Sequence, residues 1–334
     1  MQNRLLTSIA ILACSAALVA AQSPTKKPWT APLTHDGHPD LQGNWLSKSA
    51  TPLERPKQLE GRESLTDGEV AELTRRAERI FKDGRSDAAT GDNVFLAALA
   101  DTTVFKSVTA TGDSTNVDRE FDNRTSLITD PPDGKIPPYT PAGRERRAKQ
   151  TAAILSTNHP ASARDLTAEQ RCITFGVPRL GGNLGAGVFG AYQIVQTRDH
   201  VVFFMEAIHE ARIIPLDGRP HLAPNIRTWE GDSRGRWEGN SLIVDTTNFS
   251  ANTNYLGAGE DLHLVERFTR VAPDELRYEI TIDAPNTWTK PWSAMVRLKK
   301  TEEKMYEFAC HEGNAPTMET MLSPRPAEEA AKKH

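Results

Sequence analysis

The sequence is short of several things, and each shortage removes a class of function. Three cysteines in 334 residues are too few for a small disulfide scaffold or a thiolate metal cluster. The formal net charge is -4, with 40 basic against 44 acidic side chains, so the basic excess of a nucleic-acid binder is missing. No polybasic run suggests attachment to an anionic membrane surface. The chain has no Walker A loop and no H-E-x-x-H pair, and its one G-x-S-x-G string, at Ser233, sits in or beside a turn of the hairpin pattern, whereas a nucleophile elbow leads from a strand into a helix. "GGNLGAGVFG", residues 181–190, is glycine-rich but leads into a strand pattern, whereas a phosphate loop should open a helix.

What remains is a globular balance, 38% hydrophobic and 25% charged. One long apolar run stands out, "LLTSIAILACSAALVA", behind Arg4 and followed by small residues in "VAAQ". This predicts a signal peptide over residues 1–21, with the mature chain starting at Gln22 in the periplasm or outside the cell. The run is too short for a comfortable anchor, so no membrane insertion is expected after cleavage. Cys14 would leave with the peptide. Cys172 and Cys310 then form an even pair in an oxidising compartment, and a disulfide is expected. The alternative is two separate buried thiols.

Helical signals are confined to the first half. Thr66 and Glu69 make a T-x-x-E capping box, with Val70, Leu73, Ala77 and Ile80 on one face of a helix over about 66–83. "NVFLAALA" reads as a short apolar helix, and Thr140-Pro141 opens another that runs to about Leu155. A helical turn is expected to begin at Asp165. From about residue 185 the period becomes two, in successive hairpins that include "GRWEG" and "SLIVDTTNF" about Gly239-Asn240. "MYEFACHEG" reads as the last strand. The expectation is a mainly β chain with N-terminal helices, of α+β class. Residues 22–184 form an extended and helical region packed on a C-terminal antiparallel up-and-down β-barrel over 185–320, and a disordered tail covers 321–334. Closure is the economical way for such a meander to avoid exposed edges.

Several phrases carry a resemblance. "PDLQGNW", "RTSLITDPPDGKIPPYTP", "HEARIIPLDGRPHL", "WEGDSRGRWEGNSLIVDTTNF", "VERFTRV" and "YEFACHEGN", in that order, resemble a family of secreted bacterial proteins of the acidobacterial type whose activity is uncharacterised. The likeness spans about residues 39–320. It implies export and a shared architecture, and it carries over no reaction and no catalytic residue. The Gly-x-Trp ending at Trp45 is similar to the first strand of lipocalin-type barrels, which implies a lipocalin-like barrel binding small apolar or amphipathic molecules.

Candidate chemistry comes from charged residues in apolar strands. Read as one strand, Val201–Ile214 is apolar at the start of both faces and polar further on. Such a strand is expected to be covered on both sides, which would put Glu206, His209, Glu210 and Arg212 into a cavity or a buried network. Asp245, His263, Glu266 and Arg267 show the same mixture. In an enzyme, His209 or His263 would shuttle a proton, Glu206 or Glu266 would partner it, and Arg212 or Arg267 would hold an anion, in a lyase, isomerase or hydrolase step. His209 and His263 should then approach one polar cavity near the Leu216–Arg219 turn. His221, Trp229, Trp237, Trp288 and Trp292 lie beside turns, where they could hold a ligand at the barrel mouth. The structural alternative is a set of internally satisfied ion pairs.

A divalent metal among His209, His221, His263 and His311, with Glu210 or Glu312, is the other alternative. The spacing matches no zinc signature, and period two places His209 and Glu210 on opposite faces, so neither metal nor cofactor is expected. The expected partner is a small organic molecule. Three classes stand: enzyme, ligand-binding protein and structural envelope protein. Pocket volume, and convergence of the named groups on it, separates them.

Overall fold

The structure, a computed structural model, describes residues 29–82, 84–87, 92–106, 119–154, 162–177, 191–253, 255–307 and 309–322. The expected signal peptide at 1–21 lies outside the described residues, as does nearly all of the expected tail at 321–334.

The helical signals act as the local chemistry dictates. Helix α1 (Asp67–Phe81) is N-capped by Thr66, whose side chain accepts from the Glu69 amide while the Glu69 carboxylate takes the Thr66 amide. Leu73, Ala77 and Ile80 face inward. Against them packs α2 (Asn93–Leu99), making a side core of Leu59, Leu65, Leu73, Val94, Phe95 and Ala98. Helix α3 (Pro141–Ile154) starts where proline costs no hydrogen bond, and Thr140 Oγ1 caps the Gly143 amide at 3.0 Å. The turn expected at Asp165 is a single 3₁₀ turn at Ala163–Asp165, opened by Ser162.

The sheet takes strands from both halves of the chain. β1 (Gly43–Ser47) and β2 (Ile128–Asp130) come from the N-terminal half. The rest are β3 (Ala191–Gln196), β4 (His200–Met205), β5 (Ala211–Pro215), β6 (Asp232–Glu238), β7 (Ser241–Thr247), β8 (His263–Ala272), β9 (Glu275–Asp283) and β10 (Trp292–Thr301). Their order is β5-β4-β3-β1-β10-β9-β8-β7-β6, with β2 off this path beside β10. Every pairing is antiparallel. Side chains alternate, and one face is buried. Along β8, Leu264, Glu266 and Phe268 point in while His263, Val265 and Arg267 point out.

Three expectations are corrected here. The ladder does not close into an up-and-down barrel: β5 and β6 end the path, and no ladder joins them among the described residues. Parity rules out an all-antiparallel closure. Eight strands of the C-terminal half could alternate around a closed ring, but β1 inserts between β3 and β10. The path therefore has nine of the ten strands, and its two end strands run the same way. The sheet still curls strongly, since Phe203 on β4 lies 4.7 Å from Phe268 on β8, ring to ring. Gly235 on β6 faces β5 so closely that a Cβ there would lie 2.6 Å from Leu216 Cδ2 and 2.8 Å from Ile214 Cγ2.

Second, Val201–Ile214 is not one strand. Ile208 and His209 have φ of 58° and 54°, and this left-handed pair reverses the chain. Phe203 consequently pairs with Arg212, and both share the inner face. On β5 the outer face is open, with Ile213 60% exposed, so the expected cover on both sides is absent there among the described residues. Third, "MYEFACHEG" is not a strand. β10 is the last one, and Cys310 opens helix α4 (Cys310–Leu322).

The Cys172–Cys310 disulfide is formed, with Cα atoms 5.8 Å apart across 138 residues of chain. It ties the 162–177 segment to α4. Trp45 is fully buried in the main core, its indole donating to Leu41 O at 2.8 Å and its ring under the Arg270 guanidinium.

Candidate functional site

The predicted catalytic residues fall into three separate places. Inside the curl, Arg212 meets Glu266 in a two-pronged ion pair, with Nη1 3.1 Å from Oε1 and Nη2 on Oε2. Arg212 also donates to Ser233 Oγ at 3.0 Å and to Thr246 Oγ1 at 2.7 Å. The Tyr278 hydroxyl donates to Glu266 Oε1 at 2.7 Å. Burial alone would lower the Arg212 pKa, but the Glu266 carboxylate outweighs it and raises it. Burial, reinforced by Glu266, pushes the Tyr278 phenol well up. These groups saturate one another. The space beside them, lined by Phe203, Met205, Phe268 and Leu298, is about 20 Å³, room for about one water. Sequence reasoning named Arg212 and Glu266 correctly as buried and matched, but they do not face a substrate-sized space.

On the outer face stands a hydrogen-bonded chain of four residues. His221, on the 216–231 connection, bonds Asp232 Oδ2 through Nδ1 at 2.9 Å and Asp245 Oδ1 through Nε2 at 3.0 Å. His263 Nε2 bonds the same Asp245 at 3.1 and 3.2 Å. Asp232 further accepts from Arg234 at 2.6 Å and from the Leu222 amide at 2.9 Å. Alternation puts Asp232, Asp245 and His263 on the outward side of β6, β7 and β8, and the loop brings His221 down on them. The hydrogen bond from Asp245, stronger than partial burial, raises the His263 pKa, and His263 lowers that of Asp245. The half-exposed His263 ring, 42% accessible, ends the chain. His221 was expected beside a ligand, and is instead a ring between two carboxylates. Its place was hidden because the 216–231 connection brings His221 onto β6 and β7, a contact that no local pattern encodes.

The remaining candidates are scattered. His209 Nε2 lies 3.3 Å from Glu307 Oε1, not aligned as a hydrogen bond. Glu206 is half-buried at the β4 end, and burial raises its pKa. Glu210 accepts from Thr174 Oγ1 at 3.0 Å. Arg267 points outward to Glu238 at 3.0 Å. Trp288 and Trp292 are core, 1% and 0% exposed, and meet edge to face. Trp237 stacks on His38 at 4.9 Å. His311 and Glu312 are exposed at the start of α4. Among the described residues no three His, Cys, Asp or Glu side chains are grouped to hold a metal. No helix among them is long and apolar enough to cross a membrane.

Of the aromatic candidates, Trp229 lines a cavity of substrate size among the described residues. That cavity, about 750 Å³, lies between α3, the 162–177 segment and the 252–256 turn. Phe175, Trp229 and Tyr255 supply its aromatic surface. Tyr255 is 7% exposed, and its hydroxyl has no hydrogen-bond partner among the described residues. Thr174 fastens this wall to the sheet by bonding the carboxylates of Glu210 and Glu230. Val177 lines both this cavity and the small interior space, and so partitions them. Sequence reading missed the cavity because its walls come from three segments distant in sequence, and the disulfide at Cys172 holds one of them in place. No protein family matches the chain, and no curated protein matches it, so this geometry is what a functional reading rests on.

Proposed function

We propose that the protein is an exported binding protein for a small organic molecule, carried on a curled, lipocalin-like sheet whose interior is packed and whose ligand sits at one end. The cavity of about 750 Å³ carries this reading, because pockets of roughly 300–1,000 Å³ with apolar walls and a few polar groups are the usual small-molecule sites. The groups needed for acid–base catalysis stand elsewhere and are engaged with one another, which favours binding over turnover in this cavity. A structural envelope protein would need no such space. Export rests on the N-terminal pattern alone.

The test is a titration of the purified mature chain with the uncharged probe N-phenyl-1-naphthylamine. Saturable one-to-one fluorescence enhancement is expected, and Ala168→Trp, which places an indole into the cavity, should abolish it while leaving the unfolding temperature close to that of the native chain. Binding that survives Ala168→Trp would move the site elsewhere. Absence of binding to the native chain would remove the reading.

A second reading is favoured by the outer-face chain. A carboxylate-oriented imidazole with raised pKa, open to solvent on one side, is an arrangement for general acid–base catalysis. It supports a lyase, isomerase or hydrolase acting at His263, with Asp245, His221 and Asp232 behind it. Turnover of any small ester or hydroxy acid that His263→Ala abolishes and Ala168→Trp spares would favour this enzyme over the binding protein.

A further inference from the structure

We infer that the cavity under α3 takes an organic anion, a molecule with a flat apolar body and one carboxylate, sulfonate or phosphate head. The inference rests on the binding reading above and adds the charge of the ligand.

Charge around the cavity is unbalanced. Arg147, Lys149, Arg164 and Arg171 line it, against Asp165 and Glu169. Asp165 is already occupied, accepting from the Ser162 amide at 2.8 Å and from its hydroxyl at 3.0 Å. Lys149 pairs with Glu145, and Arg147 donates to Gln150. Arg164 and Arg171 are different. Among the described residues neither guanidinium has a hydrogen bond or ion pair, and Arg171 is half-buried. A guanidinium partly withdrawn from water without a counter-charge is unfavourable. Its planar fork of donors fits the two oxygens of a carboxylate, sulfonate or phosphate head.

A second observation points to the same ligand. Tyr255 lines the cavity with a buried hydroxyl that has no hydrogen-bond partner among the described residues. A buried donor left unsatisfied costs about 1–3 kcal/mol, and a ligand acceptor removes that cost. Burial raises the Tyr255 pKa, so the phenol stays protonated and able to donate. The walls decide the rest of the ligand. Phe175 and Trp229 provide ring faces for a flat body, and Leu166, Val177 and Leu256 exclude water from it. A bare inorganic anion would leave these surfaces uncovered.

Two matched probes separate this inference from the reading it rests on. 8-Anilinonaphthalene-1-sulfonate carries the charge, and N-phenyl-1-naphthylamine has nearly the same body without it. The sulfonate should bind about tenfold more tightly, which is ~1.4 kcal/mol. Arg171→Gln should bring the ratio of the two affinities close to one. Tyr255→Phe should leave the unfolding temperature of the free chain unchanged or higher, and weaken sulfonate binding several-fold. Equal affinity of the native chain for both probes would overturn the anion inference and leave the binding reading standing. Failure of both probes would remove both. Inorganic phosphate displacing the sulfonate at equal concentration would overturn the requirement for an organic body.

Discussion

Arg212 on β5 and Glu266 on β8 form a buried ion pair across the seam between β5 and β6, which no backbone ladder closes among the described residues. The strands between them, β6 and β7, are drawn in by Ser233 and Thr246, both bonded to the same guanidinium. One side chain thus does for β5 what a ladder does elsewhere. The two end strands run in the same direction, so continuing the antiparallel pattern was not open to them.

Removing one member of this pair should be costly. Arg212→Met leaves Glu266 charged and buried, and a broken buried pair typically costs about 3–5 kcal/mol. Urea unfolding of Arg212→Met and of the double variant with Glu266→Leu checks this. The single change should be the more destabilising, with the double change recovering much of the loss. A single variant within about 1 kcal/mol of native would mean that the seam holds without the pair.

The outer-face chain should make stability depend on pH in a definite direction. His263 has its pKa raised above the ordinary 6.5, so its contribution is complete below 6.5 and is lost as pH rises through the raised value. Asp245 has its pKa lowered below the ordinary 3.8, so its contribution is present above 3.8 and is lost as pH falls through the lowered value. Both act together between about pH 4 and 6.5. The stability difference between native and His263→Ala should therefore be larger at about pH 5.5 than at about pH 8.5. An equal difference at the two values, measured by denaturant unfolding, would contradict the coupling.

The disulfide should matter out of proportion to its size. It closes 138 residues of chain, and in the chain-entropy model such a loop contributes roughly 4–5 kcal/mol. Cys172→Ser with Cys310→Ser should lower the unfolding temperature and also weaken probe binding, because Cys172 anchors the segment that walls the cavity. Lower stability with unchanged probe affinity would show that the wall stands without the tether.

Gly143 offers a test of backbone packing. A Cβ there would clash with the backbone of Thr287, lying 2.8 Å from its Cα, where no side chain can move aside. Gly143→Ala should push α3 off the 284–289 turn at a cost of about 1–3 kcal/mol, although alanine is the better helix former. Thermal unfolding decides it, and a stabilised variant would show that the helix end shifts freely.

Much of this protein is local and therefore readable in the chain. The Thr66–Glu69 box, the Thr140-Pro141 start and the Gly239-Asn240 hairpin act within a few residues, where backbone sterics and neighbouring polar groups decide the outcome. The alternation along β8 and β9 placed Glu266 and Tyr278 among inward apolar residues, because period two sorts side chains whatever the partner strand. The even pair of cysteines likewise marked the one disulfide. What failed was what depends on a partner distant in sequence. Alternation cannot reveal that Ile208 and His209 turn the chain back, which puts Arg212 on the face of Phe203. Nor can it reveal that a strand from residues 43–47 brings the path to nine strands and sets its two end strands parallel. His221 and His263 became neighbours because both reach Asp245 from opposite sides of one strand. The cavity exists only where α3, the 162–177 segment and the 252–256 turn meet. Short-range chemistry set the elements and their buried faces, and the packing of distant segments decided which polar groups saturate each other and which are left open to a ligand.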